Sequence, residues 1–350
     1  MEQKKVLVAM SGGVDSSAAA LLLQKAGYVC DGAMLKLYTK QSLCCSADDA
    51  EDARLVAQHL GMRFYVFNES QMFREKVMDA FTAAYCNGLT PNPCIFCNKE
   101  LKFGALLQRA LTLGYDYIAT GHYARVNFDG RSGKYQLLRG VDRRKDQSYV
   151  LYQLTQHHLS HLLLPIGETD KPSVRAALSD AALPIANKPD SQDICFIPDG
   201  DYVAFLQRSG VQLVPGNFVD KNGTVLGQHK GLPCYTLGQG KGLGIALGKH
   251  VYVTGKNSTD NTVTLGDNEE LFSRELTACH INWISGNVPP EPFTCTAKTR
   301  YSQSEAACRV LPLADGRMQV IFDEPQRAIT AGQAVVLYDG EVVLGGGTIE

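Results

Sequence analysis

Ser11-Gly12-Gly13-Val14-Asp15-Ser16-Ser17 sets two glycines, three hydroxyls and one carboxylate between an apolar run and a run with helical spacing. Such a string can make a tight turn that delivers serine hydroxyls and the unpaired N–H groups and dipole of a helix N-terminus to an anion. A Walker A loop would follow its last glycine with Lys-Ser/Thr, the lysine reaching the β and γ phosphates. No lysine follows Gly13, and pyrophosphate suits what remains. The plainer reading is a strand-to-helix turn capped by Ser or Asp.

Sulfur is the second chemistry. The chain has 11 cysteines. Cys94 and Cys97 form C-x-x-C in "NPCIFCNKE", and Cys195 stands in "DSQDICFIP"; with no second C-x-x-C or H-x₃-H, a four-ligand structural zinc is unsupported. Two readings stay open. In one, Cys97 and Cys195 work as a pair, one bearing a persulfide and the other a nucleophile that later closes a disulfide with it, which requires thiolate character and exposure. In the other, Cys94, Cys97 and Cys195 ligate a [4Fe-4S] cluster whose fourth iron carries exchangeable sulfide. Polar, Pro-flanked surroundings favour a working role for Cys97 and Cys195, whereas Cys30, Cys234, Cys279, Cys295 and Cys308 fit buried, inert positions, and Cys44-Cys45 a structural one.

These groups must be held by elements that the periodicity outlines. Lys5 to Met10 reads as a buried strand, Val14 to Ala26 as a helix stopped by Gly27, and Val29 to Leu37 as a strand. Ala47 to Leu60 follows as a helix with Ser46 and Asp49 at capping-box spacing, then Phe64 to Phe67 as a strand, helices near 72–85 and 101–113, and the apolar 117–120. Strands alternating with helices imply a doubly wound parallel sheet. Beyond about residue 200, Gly-rich short runs with hairpin signals at Asn222-Gly223 and Asp339-Gly340 imply a small mixed central domain and a C-terminal β-barrel. The expected domains are 1–200, 201–265 and 266–350.

With 350 residues, 45% hydrophobic and 20% charged, the chain reads as a folded multidomain protein. A formal net charge of -2 announces no global field for nucleic acid, so any RNA contact must be local. Arg139, Arg143, Arg144 and Lys145 are the candidate patch, with a solvated loop as the alternative. "MEQKKVLVAMSGG" has no signal-peptide apolar core and no 18-residue uncharged apolar stretch occurs, so no membrane partner and a cytoplasmic, reducing location are expected.

The string SGGVDSS resembles the pyrophosphate-loop (N-type) ATP pyrophosphatases, which cleave ATP between the α and β phosphates to adenylate a carbonyl oxygen. The resemblance implies ATP held by Ala9, Met10, Ser11, Gly12, Gly13, Val14, Asp15 and Ser16, with Asp15 helping to place Mg²⁺. The switch-point rule for open α/β sheets then puts Leu35 and Gly121 on the adenine and ribose side. With PNPCIFCNKELKFG, ATGHYAR, KDQSYVLYQL, SQDICFI, LGQGKGLGI, AKTRYSQ and AGQAVVLY in order, nearly the whole chain is similar to the bacterial tRNA-specific 2-thiouridylases.

That likeness implies 2-thiolation of a wobble uridine in a tRNA anticodon loop, with sulfur from a cysteine desulfurase or relay protein. It makes Cys97 the nucleophile, Cys195 the persulfide acceptor, and Asn98, Lys99 and Glu100 the border of the target base. Lys145, Asp146, Gln147, Arg300 and Tyr301 match tRNA-contacting segments, and His122 and Gln333 positions that orient the RNA. Many members of the family have aspartate where this chain has Cys94, and the extra thiol speaks for the cluster. Another adenylating synthetase, or a non-catalytic RNA-binding or redox protein, is the rival; the first would need a glutaminase partner, which nothing in the sequence resembles.

Overall fold

The computed structural model describes residues 3–37, 47–189 and 194–350. The first body is a five-stranded sheet in the order β3-β2-β1-β4-β7, built from β1 (Lys5–Ala9), β2 (Val29–Lys36), β3 (Phe64–Asn68), β4 (Tyr117–Ala119) and β7 (Leu162–Leu163). Every neighbouring pair is parallel. Parallel strands bury both faces, and alternate residues of β1 feed different cores. Leu7 joins Phe73, Phe81, Leu101 and Phe103 on one side, while Val6 and Val8 join Ala18, Ala19, Val56 and Val174 on the other.

Helix α1 (Val14–Lys25) is Ala-rich and covered on most sides; α2 (Ala47–His59) and α3 (Lys171–Asp180) share its face of the sheet. The opposite face carries two long helical stretches. One runs Ser70–Phe73, π-helical Arg74–Met78, then Asp79–Cys86; the other runs Pro93–Phe96, π-helical Cys97–Ala105, then Leu106–Thr112. The chain therefore turns helical at Pro93, well before the helix expected at 101, because Asn92 caps it by accepting the Cys94 N–H at 3.1 Å and Pro93 starts it.

The central domain is a sheet in the order β10-β11-β8-β9, from β8 (Gly216–Val219), β9 (Val225–His229), β10 (Tyr252–Asn257) and β11 (Thr262–Gly266). Phe218, Tyr235, Val253 and Val263 fill its core.

Strands β12 (Phe272–Trp283), β13 (Phe293–Lys298), β14 (Ala306–Pro312), β15 (Met318–Arg327), β16 (Ala334–Asp339) and β17 (Val342–Ile349) form the C-terminal barrel, closed by pairing β12 with β17. Gly345 permits this closure, because a Cβ there would lie 2.2 Å from the Asn282 carbonyl oxygen of β12.

No local pattern marks the hairpin β5 (Ala124–Asp129) and β6 (Lys134–Arg139) as part of this sheet, yet Leu137 and Leu138 pair with Val343 and Val342 of β17. The first and last bodies are thereby stitched together. Asn282 Nδ2 also donates to the carbonyls of Tyr152 and Leu154, at 2.7 and 3.0 Å. Among the described residues, no helix is long and apolar enough to cross a membrane.

Candidate functional site

Strand order reverses between β1 and β4, and the loop of interest leaves the carboxyl end of β1 at that crevice. Gly12 has φ +70° and a Cβ on it would lie 2.2 Å from the Asp49 carbonyl oxygen, so only glycine fits. Gly13 caps α1 in an extended conformation with no side-chain cap, leaving the first-turn N–H groups to face the crevice opening. Ser16 Oγ accepts from the Ser11 N–H at 3.1 Å, and Ser17 Oγ donates to the Gly13 carbonyl at 2.9 Å. Ala9 ends β1, Met10 N–H donates to Ala33 O at 2.8 Å, Val14 is buried, and Leu35 is buried in β2 opposite Phe67.

Asp15 stands on the first turn of α1 with its side chain 34% exposed. Its Oδ1 accepts from the Tyr123 hydroxyl at 2.9 Å and from Lys171 Nζ at 2.8 Å. Magnesium is ordinarily held by one or two carboxylates together with substrate phosphates, and a single half-buried carboxylate beside an anion cradle fits that pattern.

The Thr120-Gly121-His122 turn follows β4 and packs directly on the loop. A Cβ on Gly121 would sit 2.5 Å from the backbone carbon of Asp15 and 2.6 Å from Ser16 N. The next residue reaches the other way, for the His122 ring centre is 5.9 Å from that of Phe103, in the helix that begins with Cys97. Thr120 Oγ1 lies 2.7 Å from His122 Nδ1. Burial, with the Lys102 charge nearby, holds this imidazole well below its usual range, so it is neutral at pH 7.

Cys97 is not in a polar loop as its flanking prolines suggested. It is 9% exposed, at the start of the π-helical stretch and within the large core cluster. Cys94 is exposed, and Cys195 is half-buried and packs against the same cluster as Cys97. The neighbours of Cys195 anchor it, since the Phe196 ring meets Phe73, Phe81 and Phe205 at 5.7, 5.4 and 5.0 Å. No group of three or more Cys, His, Asp or Glu among the described residues is placed to hold a metal. The three cysteines thus do not present a [4Fe-4S] ligand set in this arrangement. Cys44-Cys45 and Ser46 lie outside the described residues.

Two lysines that the sequence did not single out complete the loop's surroundings. Lys171 is one; Lys188 is the other, its Nζ donating to the Gly12 carbonyl at 2.9 Å and to Asp49 and Asp52, each at 2.7 Å. Burial opposes the Lys188 charge, but its hydrogen bonds to those two carboxylates outweigh it and raise its pKa. The capping-box spacing pairs Asp49 with Ser46, which lies outside the described residues; the Asp49 carboxylate also braces the loop through Lys188. Tertiary pairs of this kind leave no short-range pattern in a sequence.

Several residues expected at the RNA are engaged inside the protein. Asn98 is 2% exposed and donates to the Val150 carbonyl at 3.1 Å. Asp146 accepts from Gly140 N, Ser148 N and Ser148 Oγ, and Gln147 Oε1 accepts from Tyr123 N at 3.0 Å. Arg300 Nη2 donates to the carbonyls of Leu237 and Ala328 and to Thr330 Oγ1, tying the central domain to the barrel. Gln333 Nε2 donates to the Thr90 carbonyl at 2.8 Å.

The cationic patch also shrinks. Arg139 is buried against Glu305, with its guanidinium 3.9 Å from the centre of the Tyr338 ring, and Arg143 pairs with Glu341. Arg144 is widely exposed, Lys145 and Lys99 are half-buried or more open, and Glu100 is half-buried. Tyr301 stands on the barrel side, its ring 6.0 Å from and edge-on to that of Tyr149; burial, then Asp146 and Cys94, raise its pKa.

A parallel sheet with this glycine loop at its switch point is the architecture of the pyrophosphate-loop class, and two β domains follow it in this chain. Residues 4–199 match the family model described as tRNA methyl transferase HUP domain, 203–267 its PRC-barrel domain and 273–349 an aminomethyltransferase β-barrel domain. The chain is 48% identical over its full length to the whole of a protein from Acetivibrio thermocellus named tRNA-specific 2-thiouridylase MnmA. It is 51% identical to one of that name from Carboxydothermus hydrogenoformans, over 99% of this chain and 98% of the relative. For the Moorella thermoacetica protein so named, the values are 50%, 98% and 99%. The chain belongs to the family of tRNA-specific 2-thiouridylases.

Proposed function

We propose that this protein is a tRNA-uridine 2-sulfurtransferase. ATP adenylates the 2-oxygen of the wobble uridine, releasing pyrophosphate into the loop of Gly12 and Gly13. The terminal sulfur of a persulfide on Cys195 attacks C2 and expels AMP; Cys97 then attacks Cys195 Sγ, breaking the S–S bond. The two electrons of that bond go to the released 2-thiouridine sulfur, and a Cys97–Cys195 disulfide remains for a dithiol to reduce. A sulfur-donating enzyme or carrier supplies the persulfide, and a flipped anticodon base supplies the acceptor.

One observation carries this reading: the Gly121-His122 turn touches both the loop at Asp15–Ser16 and the helix that bears Cys97. Adenylation and sulfur transfer then share one crevice. Methyl transfer, which the family model's description mentions, has no use for a pyrophosphate cradle beside thiols.

The test incubates the protein with ATP, a sulfur donor and unmodified tRNA, then looks for a retarded band on a mercury-containing gel. Cys97→Ser and Cys195→Ser are expected to abolish the band, and Asp15→Ala to block pyrophosphate release. Wild-type protein giving no band, with pyrophosphate release driven instead by a small carboxylate, overturns the proposal in favour of a synthetase.

A further inference from the structure

Cys295 and Cys308 read from the sequence as inert core thiols, but the barrel sets them face to face. Cys295 of β13 stands directly opposite Cys308 of β14 in the antiparallel ladder, and the two Sγ atoms lie 3.7 Å apart. Alternation puts the pairs Phe293–Val310 and Ala297–Ala306 on the same face of the hairpin. Cys308 is 2% exposed, inside the barrel core with Val310 and Val320, whereas Cys295 is half-buried and packs against that core.

The register supplies most of the geometry that a disulfide needs. Residues directly opposite in an antiparallel pair have Cα atoms about 4.5 or 5.5 Å apart, and both values fall in the roughly 4.4–6.8 Å span that disulfides bridge. The sulfurs themselves must close from 3.7 Å to about 2.05 Å, which is within the reach of side-chain rotation.

The Cys308 sulfur, then burial, hold the Cys295 thiol above its usual range, so Cys295 keeps its proton at pH 7. A protonated, sheltered thiol is a slow nucleophile. It reacts behind an exposed thiol such as Cys86, and with a small oxidant.

The segment between the two cysteines is where the other bodies of the molecule attach. Arg300 reaches the Leu237 carbonyl beside the central domain at 3.1 Å, and Glu305 accepts from Arg139 Nη1 of β6 at 3.0 Å. A bond between two cysteines 13 positions apart would close a covalent ring that includes both residues.

We infer that Cys295 and Cys308 are a redox-modification site: a hydroperoxide converts them to a cross-strand disulfide that staples the β13–β14 hairpin, and a dithiol reverses it. One thiol attacks the hydroperoxide; an S–O bond forms, the O–O bond breaks, and an alcohol, or water from hydrogen peroxide, departs. The second sulfur attacks the resulting sulfenic acid, forming the S–S bond and releasing water. Two electrons pass from the sulfurs to the peroxide, and both thiol protons leave in the products. The site stands independently of the thiolation reading.

The test treats native full-length protein with hydrogen peroxide, alkylates the remaining thiols, and maps tryptic peptides by mass spectrometry before and after dithiothreitol. Cleavage at Lys298 and Arg300 parts the two cysteines, so their disulfide shows as a joined peptide. Wild type is expected to give that peptide and lose it on reduction, and Cys295→Ser and Cys308→Ser to lack it. Amide exchange in β13 and β14 should slow roughly 10- to 100-fold on oxidation of the wild type, because opening the hairpin must then work against a closed ring, and should not change in the variants. Full alkylation of both cysteines, under peroxide that has already oxidised Cys86, overturns the site. A peptide joining either one to a different cysteine overturns the pairing, and a joined peptide with unslowed exchange overturns the staple. If the serine variants do not fold, the wild-type peptide map and exchange rates decide the matter.

Discussion

At the scale of single residues, the site depends on groups whose charge state burial has fixed. His122 is 8% exposed between Thr120 and Phe103, with Lys102 adding to the bias against its imidazolium form. A pKa depressed in the folded state means that the unfolded chain takes up a proton first as pH falls. The stability associated with neutral His122 is therefore fully present above about pH 6.5 and declines below it, by up to about 1.4 kcal/mol per pH unit until the folded pKa is reached. Thermal melts of wild type and His122→Gln at pH 7.5 and 5.5 check this. The wild type is expected to lose more stability on acidification than the variant, and equal losses would remove His122 from the account. A neutral imidazole at the carboxyl end of β4 can donate or accept a hydrogen bond toward the crevice without repelling either Lys171 or an incoming cation.

At the scale of elements, the helix from Pro93 to Thr112 carries Cys94 and Cys97, and the proposed sulfur chemistry depends on where it holds them. Its π-helical stretch widens the backbone at Cys97–Ala105, and Gly104 lets the Lys99 carbonyl approach where a Cβ would meet it at 2.9 Å. Asn98 fixes this stretch to the Ser148–Leu151 turn through the Val150 carbonyl, and its own Oδ1 is buried with no hydrogen-bond partner among the described residues. Replacing Asn98 with alanine orphans the Val150 carbonyl, for a cost of about 1–3 kcal/mol. Sulfur transfer should fall in Asn98→Ala while ATP-dependent pyrophosphate release stays intact; the gel assay and a pyrophosphate-release assay separate the two, and full thiolation in the variant would refute the anchoring role.

The sequence made β1, its loop and α1 legible because apolar run, glycines and helix are contiguous there. Cys97 was misplaced because Pro91 and Pro93 read as loop, whereas Pro93 is a helix starter. Arg139 was misread for a different reason: a cation's partner, here Glu305, lies beyond any window of local pattern. Lys171 and Lys188 escaped notice on the same ground.

At the scale of the whole molecule, the barrel holds the segment that bears Cys94 and Cys97 as well as facing it. Ala331 O accepts the Thr90 N–H at 2.9 Å, Gln333 returns a bond to the Thr90 carbonyl, and Tyr149 OH donates to Ala334 O at 2.8 Å. Thr90 lies just before the Pro91–Cys94 turn, and Tyr149 belongs to the turn that anchors Asn98, so one barrel corner sets both ends of the segment bearing Cys94 and Cys97. Gly332 is the tightest point of that corner, with φ +88° and room for no Cβ, which would meet Leu89 Cβ and Thr90 N at 2.9 Å each. Gly332→Ala imposes about 1–3 kcal/mol of backbone strain, and relief comes by parting the corner from the loop. The nucleotide loop is untouched by that movement, and the exposed surfaces available to RNA are unchanged. Steady-state thiolation should therefore show a lower kcat with the KM for tRNA and for ATP within about twofold, since only a step that needs the thiol in register is affected. A raised KM for tRNA with kcat intact would mean that the corner serves the RNA directly and not the sulfur.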